Sequence, residues 1–289
     1  MLHDALIAPF TDFAFMRRAL AAVIALALGG GPIGVFLMLR RMSLVGDAMA
    51  HAILPGAAIG FLLSGLNLLA MTAGGLIAGF AVALLAGLVS RGTGLKEDAS
   101  LATFYLASLA LGVTIVSIKG TNIDLLHVLF GNILAMDDQT LLVVAFNATI
   151  TLVVLAVIYR PLVVESVDPL FLRTVSRAGA PAHLAFLALV VINLVNGFQA
   201  LGTLLAVGLM ILPAGIARFW SRDITGMICI AVISAIASSY AGLVLSFQTK
   251  VPSGPAIILV ATVFYVGSVL FGSVGGLIRQ IFPAPHLEA

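Results

Sequence analysis

Charged side chains are scarce in this sequence. Asp, Glu, Lys and Arg make up only 9% of the 289 residues, whereas apolar residues make up 62% and the mean hydropathy is +1.21. Soluble globular domains carry about 25% charged residues, so this scarcity excludes an ordinary soluble domain. The composition predicts an all-α protein, a polytopic transmembrane helical bundle that forms one domain over residues 1–289.

Cysteine is almost absent as well. The lone Cys229 lies in an apolar run, which excludes a disulfide framework and a paired-cysteine metal site. The net charge of +2 is small and the basic residues are scattered, so we expect no nucleic-acid partner. Any metal ligands must therefore be oxygen and nitrogen atoms.

Two groups of enzyme motifs are also missing. The sequence has no Gly-x-x-x-x-Gly-Lys-Ser/Thr phosphate loop, so nucleotide hydrolysis by that route must belong to another chain. It has no His-Glu-x-x-His, and no membrane serine has a His or Lys in sequence register to activate it. We predict that the chain is not an enzyme.

What the sequence does contain is a series of long apolar runs. A helix needs about 20 such residues to cross a hydrocarbon core of about 30 Å. The runs predict about nine crossings, or eight if one of the short sixth and seventh runs is partial or re-entrant. They are 19–39, 45–64, 66–90, 98–118, 139–159, 182–199, 201–218, 224–247 and 255–278.

The basic residues predict the orientation of these crossings. If the Arg40-Arg41 end faces the cytoplasm and the crossings alternate, most Lys and Arg residues are cytoplasmic. Those that fall outside are Arg17, Arg18, Lys119 and Lys250. We therefore expect an external N-terminus and a cytoplasmic C-terminus.

One apolar run carries both an acid and an imidazole. Asp47 and His51 are four residues apart, so a helix would place them on one face with Cβ atoms about 5–6 Å apart. Ionisable groups inside membrane segments usually mark a substrate or ion path because their burial is costly. We predict that this pair binds a divalent cation. The alternative is that Asp47 lies near the membrane surface and His51 bonds a neighbouring carbonyl.

The predicted cytoplasmic connection 160–183 carries helix signals. Asp168-Pro169 supplies an N-cap followed by proline at the first helical position, and Gly179 supplies a stop. The apolar stripe between them predicts a docking helix over about 168–179 for a cytoplasmic partner, with a helix resting on lipid headgroups as the alternative. Its candidate residues are Asp168, Pro169, Leu170, Phe171, Leu172, Arg173 and Val175.

The predicted external connection 119–139 carries a second short amphipathic stretch at 123–131. Asp124 and His127 within it are candidates for an outer gate that touches an entering cation. Ordinary packing at the membrane surface is the alternative.

Several motifs, spread over nearly the whole chain, occur together. They are the run Arg40-Arg41-Met42-Ser43-Leu44-Val45-Gly46-Asp47-Ala48 with His51, Leu54-Pro55-Gly56, Lys96-Glu97-Asp98, Asp124-Leu125-Leu126 with 129–134, 202–205 with Leu212-Pro213-Ala214, and Pro252-Ser253-Gly254-Pro255. This set resembles the membrane permeases of zinc, manganese and chelated-iron ABC importers (the ABC-3 type). The run from Arg40 to Gly56 is the specific part of the resemblance.

The resemblance implies a half-transporter in the bacterial inner membrane. Two permease copies would pair about a two-fold axis, and cytoplasmic ATP-binding subunits would dock beneath them at the helix around 168–179. A periplasmic or extracellular metal-binding protein would deliver the ion. The metal-contacting pair of the family carries over to Asp47 and His51. Asn132 stands where some members have an acid, which argues against direct metal binding by the external loop.

The same resemblance implies no permanently bound cofactor, since the metal is cargo and ATP is used by the partner subunit. One carboxylate and one imidazole from each of two copies would give four oxygen and nitrogen ligands, which suit zinc or manganese better than copper(I) or calcium. We expect zinc first and manganese next.

Two other functions remain open at this point. A secondary metal transporter would need coupling acids in its spans, and beyond Asp47 the apolar runs hold essentially none. A permease for an iron chelate or a corrinoid would lack a metal-coordinating pair, so Asp47 and His51 count against it.

Overall fold

The computed structural model describes residues 6–65, 67–93, 95–119, 133–176 and 178–281, and within these ranges every regular element is a helix. The α-helices are α1 (Ala8–Asp12), α2 (Ala14–Leu39), α3 (Val45–Ala52), α4 (Leu54–Ser64), α5 (Leu68–Gly92), α6 (Glu97–Lys119), α7 (Asp138–Val167), α8 (Pro169–Val175), α9 (Gly179–Leu201), α10 (Thr203–Arg218), α11 (Ile224–Thr249), α12 (Ser253–Phe271) and α13 (Leu277–Ile281). A single 3₁₀ turn, Ile133–Ala135, precedes α7.

Eight helical segments of the described chain are long and apolar enough to cross a membrane. They are Ala14–Leu39, Val45–Ser64, Leu69–Ser90, Asp98–Ile115, Asp138–Val167, Gly179–Phe198, Ile224–Thr249 and Ser253–Phe271. This confirms the predicted all-α bundle of eight to nine spans. The ambiguity lies in α10, which is apolar but has only 16 residues, fewer than the about 20 that a full crossing needs.

The connection between α9 and α10 explains why the sixth and seventh apolar runs, 182–199 and 201–218, are short and adjacent. Helix α9 has 23 residues and is a complete span, so the shortness belongs to α10 alone. The two helices meet at Gly202, whose φ of +86° lies in the left-handed region that glycine adopts readily. A turn of one residue therefore reverses the chain without a polar loop.

Helix α2 lies at the centre of the bundle. In its most apolar stretch 78% of the residues are buried, compared with 17% in α6. A side chain at Gly34 would overlap the carbonyl oxygen of Met210 in α10, so these two backbones touch directly. We call the end of the bundle where α2 finishes the Arg40 end. The other is the Arg18 end, where Arg18 Nη1 lies 3.3 Å from Asp138 Oδ1 at the start of α7.

A second backbone contact joins α4 to α5. A Cβ at Gly56 would overlap the carbonyl group of Gly74, and a Cβ at Gly74 would overlap that of Gly56. Small residues on both faces let two membrane helices approach this closely. The contact fixes α4, and with it the C-terminal side of the break that separates α3 from α4.

Several helices begin with a side-chain cap, a polar residue just before the helix whose side chain accepts a hydrogen bond from a free backbone amide. Asp223 caps α11, and its carboxylate accepts a hydrogen bond from the Gly226 amide at 2.6 Å and one from the Ser221 hydroxyl at 2.9 Å. These bonds stabilise the charged form and lower the pKa of Asp223. The carboxylate therefore stays ionised and satisfies one of the free amides at the helix start.

Candidate metal site and docking helix

Helix α3 presents one accessible polar face. Six of its eight residues are buried: Val45, Gly46, Ala48, Met49, Ala50 and Ala52. The helical period places Asp47 and His51 together on the remaining face, where their side chains are 70% and 38% exposed. The predicted pair is therefore brought together on one helix and faces outward from this chain.

The distance between the two side chains suits a shared ion. His51 Nε2 lies 3.9 Å from Asp47 Oδ1, which is too long for a hydrogen bond. It is shorter than the sum of two metal–ligand bonds of about 2.0–2.2 Å each. One divalent ion could contact both atoms without a change in the backbone.

Helix α6 holds α3 in place at two points. The Ser108 hydroxyl donates to the carbonyl oxygen of Ala52 at 2.8 Å, next to the break at Ile53. The ring of Tyr105 stacks on that of His51, with 6.4 Å between centroids and 30° between planes. Within the described part of the chain His51 bonds no neighbouring carbonyl. The alternative reading of His51 as a hydrogen-bonded packing residue therefore has no support in this geometry.

A further acid lies beside Asp47. A cavity of about 140 Å³ opens here, lined by Leu44, Asp47, Ala48, Asp98, Leu101, Ala102 and Tyr105. Asp98 comes from the first turn of α6 and is exposed. The sequence motif Lys96-Glu97-Asp98 gave no reason to place this carboxylate near Asp47, because the two residues are about 50 positions apart.

One copy of the chain supplies an incomplete ligand set. Among the described residues, no three His, Cys, Asp or Glu side chains come together in a group that could hold a metal ion. Structural zinc sites use four protein ligands, whereas Asp47 and His51 supply two. Such a partial set leaves coordination positions open to water or to ligands from another chain.

The candidate docking helix, α8, is shorter than its sequence predicts. Asp168 is the N-cap, as expected, and its Oδ1 accepts from the Phe171 amide at 2.9 Å. The helix ends at Val175, because Ser176 adopts an extended conformation. The prediction that Gly179 stops this helix is wrong, since Gly179 is the first residue of α9.

The predicted apolar stripe of this helix divides into two faces. Phe171 and Val175 are 55% and 67% exposed, whereas Leu172 is buried. Leu172 packs against Gly179, where an added Cβ would lie 3.0 Å from Leu172 Cδ2. Leu172 therefore fixes α8 to its own chain and is not part of the exposed surface. The side chains of Pro169, Leu170 and Arg173 lie outside the described residues, as do Asp124 and His127 of the external connection.

A second polar cluster, not predicted from the sequence, surrounds Arg40. Its Nη2 donates to Glu165 Oε2 at 3.1 Å, and its Nε donates to Ser166 Oγ at 3.2 Å. Its Nη1 lies 2.6 Å from His183 Nδ1, and the guanidinium lies over the Phe186 ring at 5.1 Å. We call these five residues the Arg40 cluster. From the sequence alone, Arg40 indicated only the orientation of the spans. The signal that could have predicted this cluster is the presence of an acid and a histidine, Glu165 and His183, on the two sides of α8.

Comparison with known proteins agrees with this architecture. A profile of the ABC 3 transport family matches residues 12–272. The manganese transport system membrane protein MntC of Halalkalibacterium halodurans is 31% identical over 270 residues, which cover 93% of this chain and 91% of the relative. The chelated iron transport system membrane protein YfeD of Yersinia pestis is 27% identical over 274 residues, covering 95% of this chain and 91% of the relative.

A solved structure shows the same fold over almost the whole chain. PsaBC from Streptococcus pneumoniae in complex with Fab superposes with a TM-score of 0.81 at 27% identity, covering 97% of this chain and 100% of that one. The family profile and the relatives extend well beyond half of the sequence. The chain belongs to the ABC 3 transport family, the membrane permeases that its motifs resemble.

Proposed function

We propose that this chain is the permease of an ABC importer that moves a divalent transition metal, manganese ahead of zinc, into the bacterial cytoplasm. The observation that carries the proposal is the Asp47–His51 pair, which lies exposed and without a hydrogen bond between its members on an otherwise buried helix. Ionisable groups inside membrane segments usually mark an ion path, and here the two side chains are not hydrogen-bonded to each other. These two are free to bind a passing cation.

The ligand chemistry allows both metals. Carboxylate oxygen suits manganese, imidazole nitrogen suits zinc, and a mixed pair with open positions lets water exchange for ligands as the ion moves on. The sequence alone favoured zinc. The manganese transport system named in the MntC relative reverses that order, and the chelated-iron system named in the YfeD relative makes iron(II) the third ion to test.

A second copy of the chain would complete the site. Each copy supplies two ligands on an exposed face, and a two-fold axis would bring the same face of both copies together. Four ligands would then surround one ion. The proposed homodimer is thus supported by the incompleteness of the single-chain site.

An ATP-binding subunit would dock at the Arg40 end. The chain has no phosphate loop, so nucleotide hydrolysis by that route requires another subunit. The exposed side chains of Phe171 and Val175 on α8 give that subunit an apolar surface to bind. We place this end in the cytoplasm of the bacterial inner membrane, because most basic residues lie there. A soluble metal-binding protein would then deliver the ion at the Arg18 end.

Membership of the ABC 3 transport family counts against a gradient-driven secondary transporter. An iron-chelate permease is the remaining alternative, and it would need room for a bulky organic ligand. The Asp47–His51 pair counts against it, because a chelated ion carries its own ligands and needs no coordinating pair.

The test is metal uptake into proteoliposomes that contain the permease together with its ATP-binding subunit and metal-binding protein. Manganese(II), zinc(II) and iron(II) are offered singly and in competition, with and without ATP. We expect ATP-dependent uptake that manganese dominates, and loss of that uptake in Asp47→Asn. Asp138→Asn is the matched control, because Asp138 is likewise an exposed acid in the first turn of its helix. Uptake that needs no ATP, or that survives Asp47→Asn, would contradict the proposal.

A further inference from the structure

Both ends of the segment that carries the docking helix are bonded to one side chain. Glu165 and Ser166 lie just before α8, and His183 lies just after it in α9. All three are in hydrogen-bond contact with the guanidinium of Arg40, at 3.1, 3.2 and 2.6 Å. Because the contacts flank α8 on both sides, a displacement of α8 that carries either flank with it would reach Arg40.

The bonds of the Arg40 cluster are shielded from water. The Arg40 side chain is 8% exposed, that of Glu165 is 16% exposed, and His183 is buried. A charge pair away from water is screened far less than a surface pair. The guanidinium uses its planar fork for several partners at once, which a lysine ammonium on its flexible stem cannot reproduce.

On its other side Arg40 is joined to the metal-binding helix by a short bonded connection. Arg40 is the C-cap of α2, and Arg41 takes the left-handed conformation with φ of +59°. The Met42 amide then donates back to the carbonyl of Leu37 at 2.8 Å, which closes the end of the helix. Asp47 follows seven residues after Arg40, with no flexible loop between them.

We propose that Arg40 is a positioning residue through which movement of α8 changes the position of Asp47 and His51. The inference rests on the proposed function, in which an ATP-binding subunit moves α8. The Arg40 cluster transmits that movement because it bonds both flanks of α8 and stands at the start of the connection to α3. Arg40 itself touches neither the ion nor the nucleotide.

The experiment measures metal ions moved per ATP hydrolysed in proteoliposomes holding the full complex, beside a melting curve for every variant. Arg40→Lys keeps the positive charge that faces Glu165 but removes the planar guanidinium that contacts three partners at once. We expect ATP hydrolysis to continue while manganese uptake falls, so that the ratio of metal ions moved to ATP hydrolysed drops below that of the wild type. Arg18→Lys is the matched control, because it makes the same change in the ion pair at the other end of α2. Its ratio should equal that of the wild type.

Two further variants keep the test decisive if Arg40→Lys does not assemble. Glu165→Gln and Ser166→Ala each remove one partner of the guanidinium while retaining most of the side-chain volume. A lower ratio in either assembled variant supports the positioning role. A wild-type ratio in both, or hydrolysis and uptake that fall in parallel with the melting temperature, would overturn it.

The two proposals fail in different ways in this experiment. A wild-type complex that hydrolyses ATP and moves no metal overturns the proposed function, and the positioning role with it. A wild-type complex that moves metal beside an Arg40→Lys complex with an unchanged ratio overturns only the positioning role.

Discussion

The Arg40 cluster and the Asp47–His51 pair, which lie on either side of the connection between α2 and α3, differ in how fully their charges are bonded within the chain. In the Arg40 cluster every charge has a partner within 3.1 Å and lies away from water. In the Asp47–His51 pair the two side chains are 3.9 Å apart and open to the outside of the chain. A satisfied group holds its neighbours in one arrangement, whereas an unsatisfied group has bonding capacity left for a ligand. The bundle thus places a fixed polar group next to one whose side chains remain available to bind a ligand.

The largest expected effect is on the stability of the fixed group. Glu165→Ala leaves the buried guanidinium of Arg40 without its carboxylate, which costs about 3–5 kcal/mol for pairs of this kind. A melting curve in detergent should show the loss directly. A melting temperature equal to that of the wild type would mean that the Arg40 cluster is no more rigid than the exposed pair.

His51→Ala should give the opposite pattern. The His51 side chain is partly exposed and its removal loses the ring contact with Tyr105, worth about 0.5–1.5 kcal/mol, so the variant should assemble and melt close to the wild type. In the proposed dimer it removes two of four ligands, and we expect uptake to fall by more than about 100-fold, beyond the 10–100-fold loss typical of groups that only support a metal ligand. Normal uptake would remove His51 from the metal path, and a large drop in melting temperature would make it a packing residue.

The two faces of the docking helix give a smaller contrast of the same kind. Phe171→Asp changes an exposed side chain and should weaken binding of the ATP-binding subunit by about 2 kcal/mol, roughly 30-fold, with an unchanged melting temperature. Leu172→Asp buries a charge within the permease and should lower its melting temperature instead. Co-purification and melting curves measured in parallel separate the two. Equal behaviour of both variants would contradict the division into an inner and an outer face.

The smallest expected effect concerns Asp98. It shares the cavity with Asp47, so its charge raises the local concentration of cations without belonging to the pair on α3. Asp98→Asn should lower uptake by a few-fold at low metal concentration and low salt, with the difference shrinking as salt screens it. Uptake measured at two ionic strengths checks this. A loss as complete as that of His51→Ala would place Asp98 among the ligands.

The sequence predicts those features that depend on residues close together in the chain. The spacing of Asp47 and His51 follows from the helical period, and the start of α8 follows from the Asp168-Pro169 signal. The end of α8 does not, because the chain leaves the helix at Ser176 without a glycine or proline to announce it.

Contacts between distant segments are beyond a local pattern. Asp98 and Tyr105 reach the Asp47–His51 pair from another helix, and Arg40 meets Glu165 and His183 more than 120 residues away. Helix packing brings these side chains together, and in this chain many apolar surfaces could pack in more than one way. The number of spans is ambiguous for another reason, since α10 is apolar but has only 16 residues, fewer than a full crossing needs.

The close backbone contact between Gly56 and Gly74 anchors α4 directly after the break that ends α3. At this contact no side chain separates α4 from α5, and a tilt of α3 relative to α4 would pivot at the break around Ile53. With a rise of about 1.5 Å per residue, Asp47 stands about 9 Å from that pivot and His51 about 3 Å, so a tilt of about 10° would sweep the carboxylate through about 1.6 Å and the imidazole through about 0.5 Å. In the proposed two-fold pair such a tilt would move the two carboxylates further than the two imidazoles, so the anionic ligands of the ion would shift before its neutral ones.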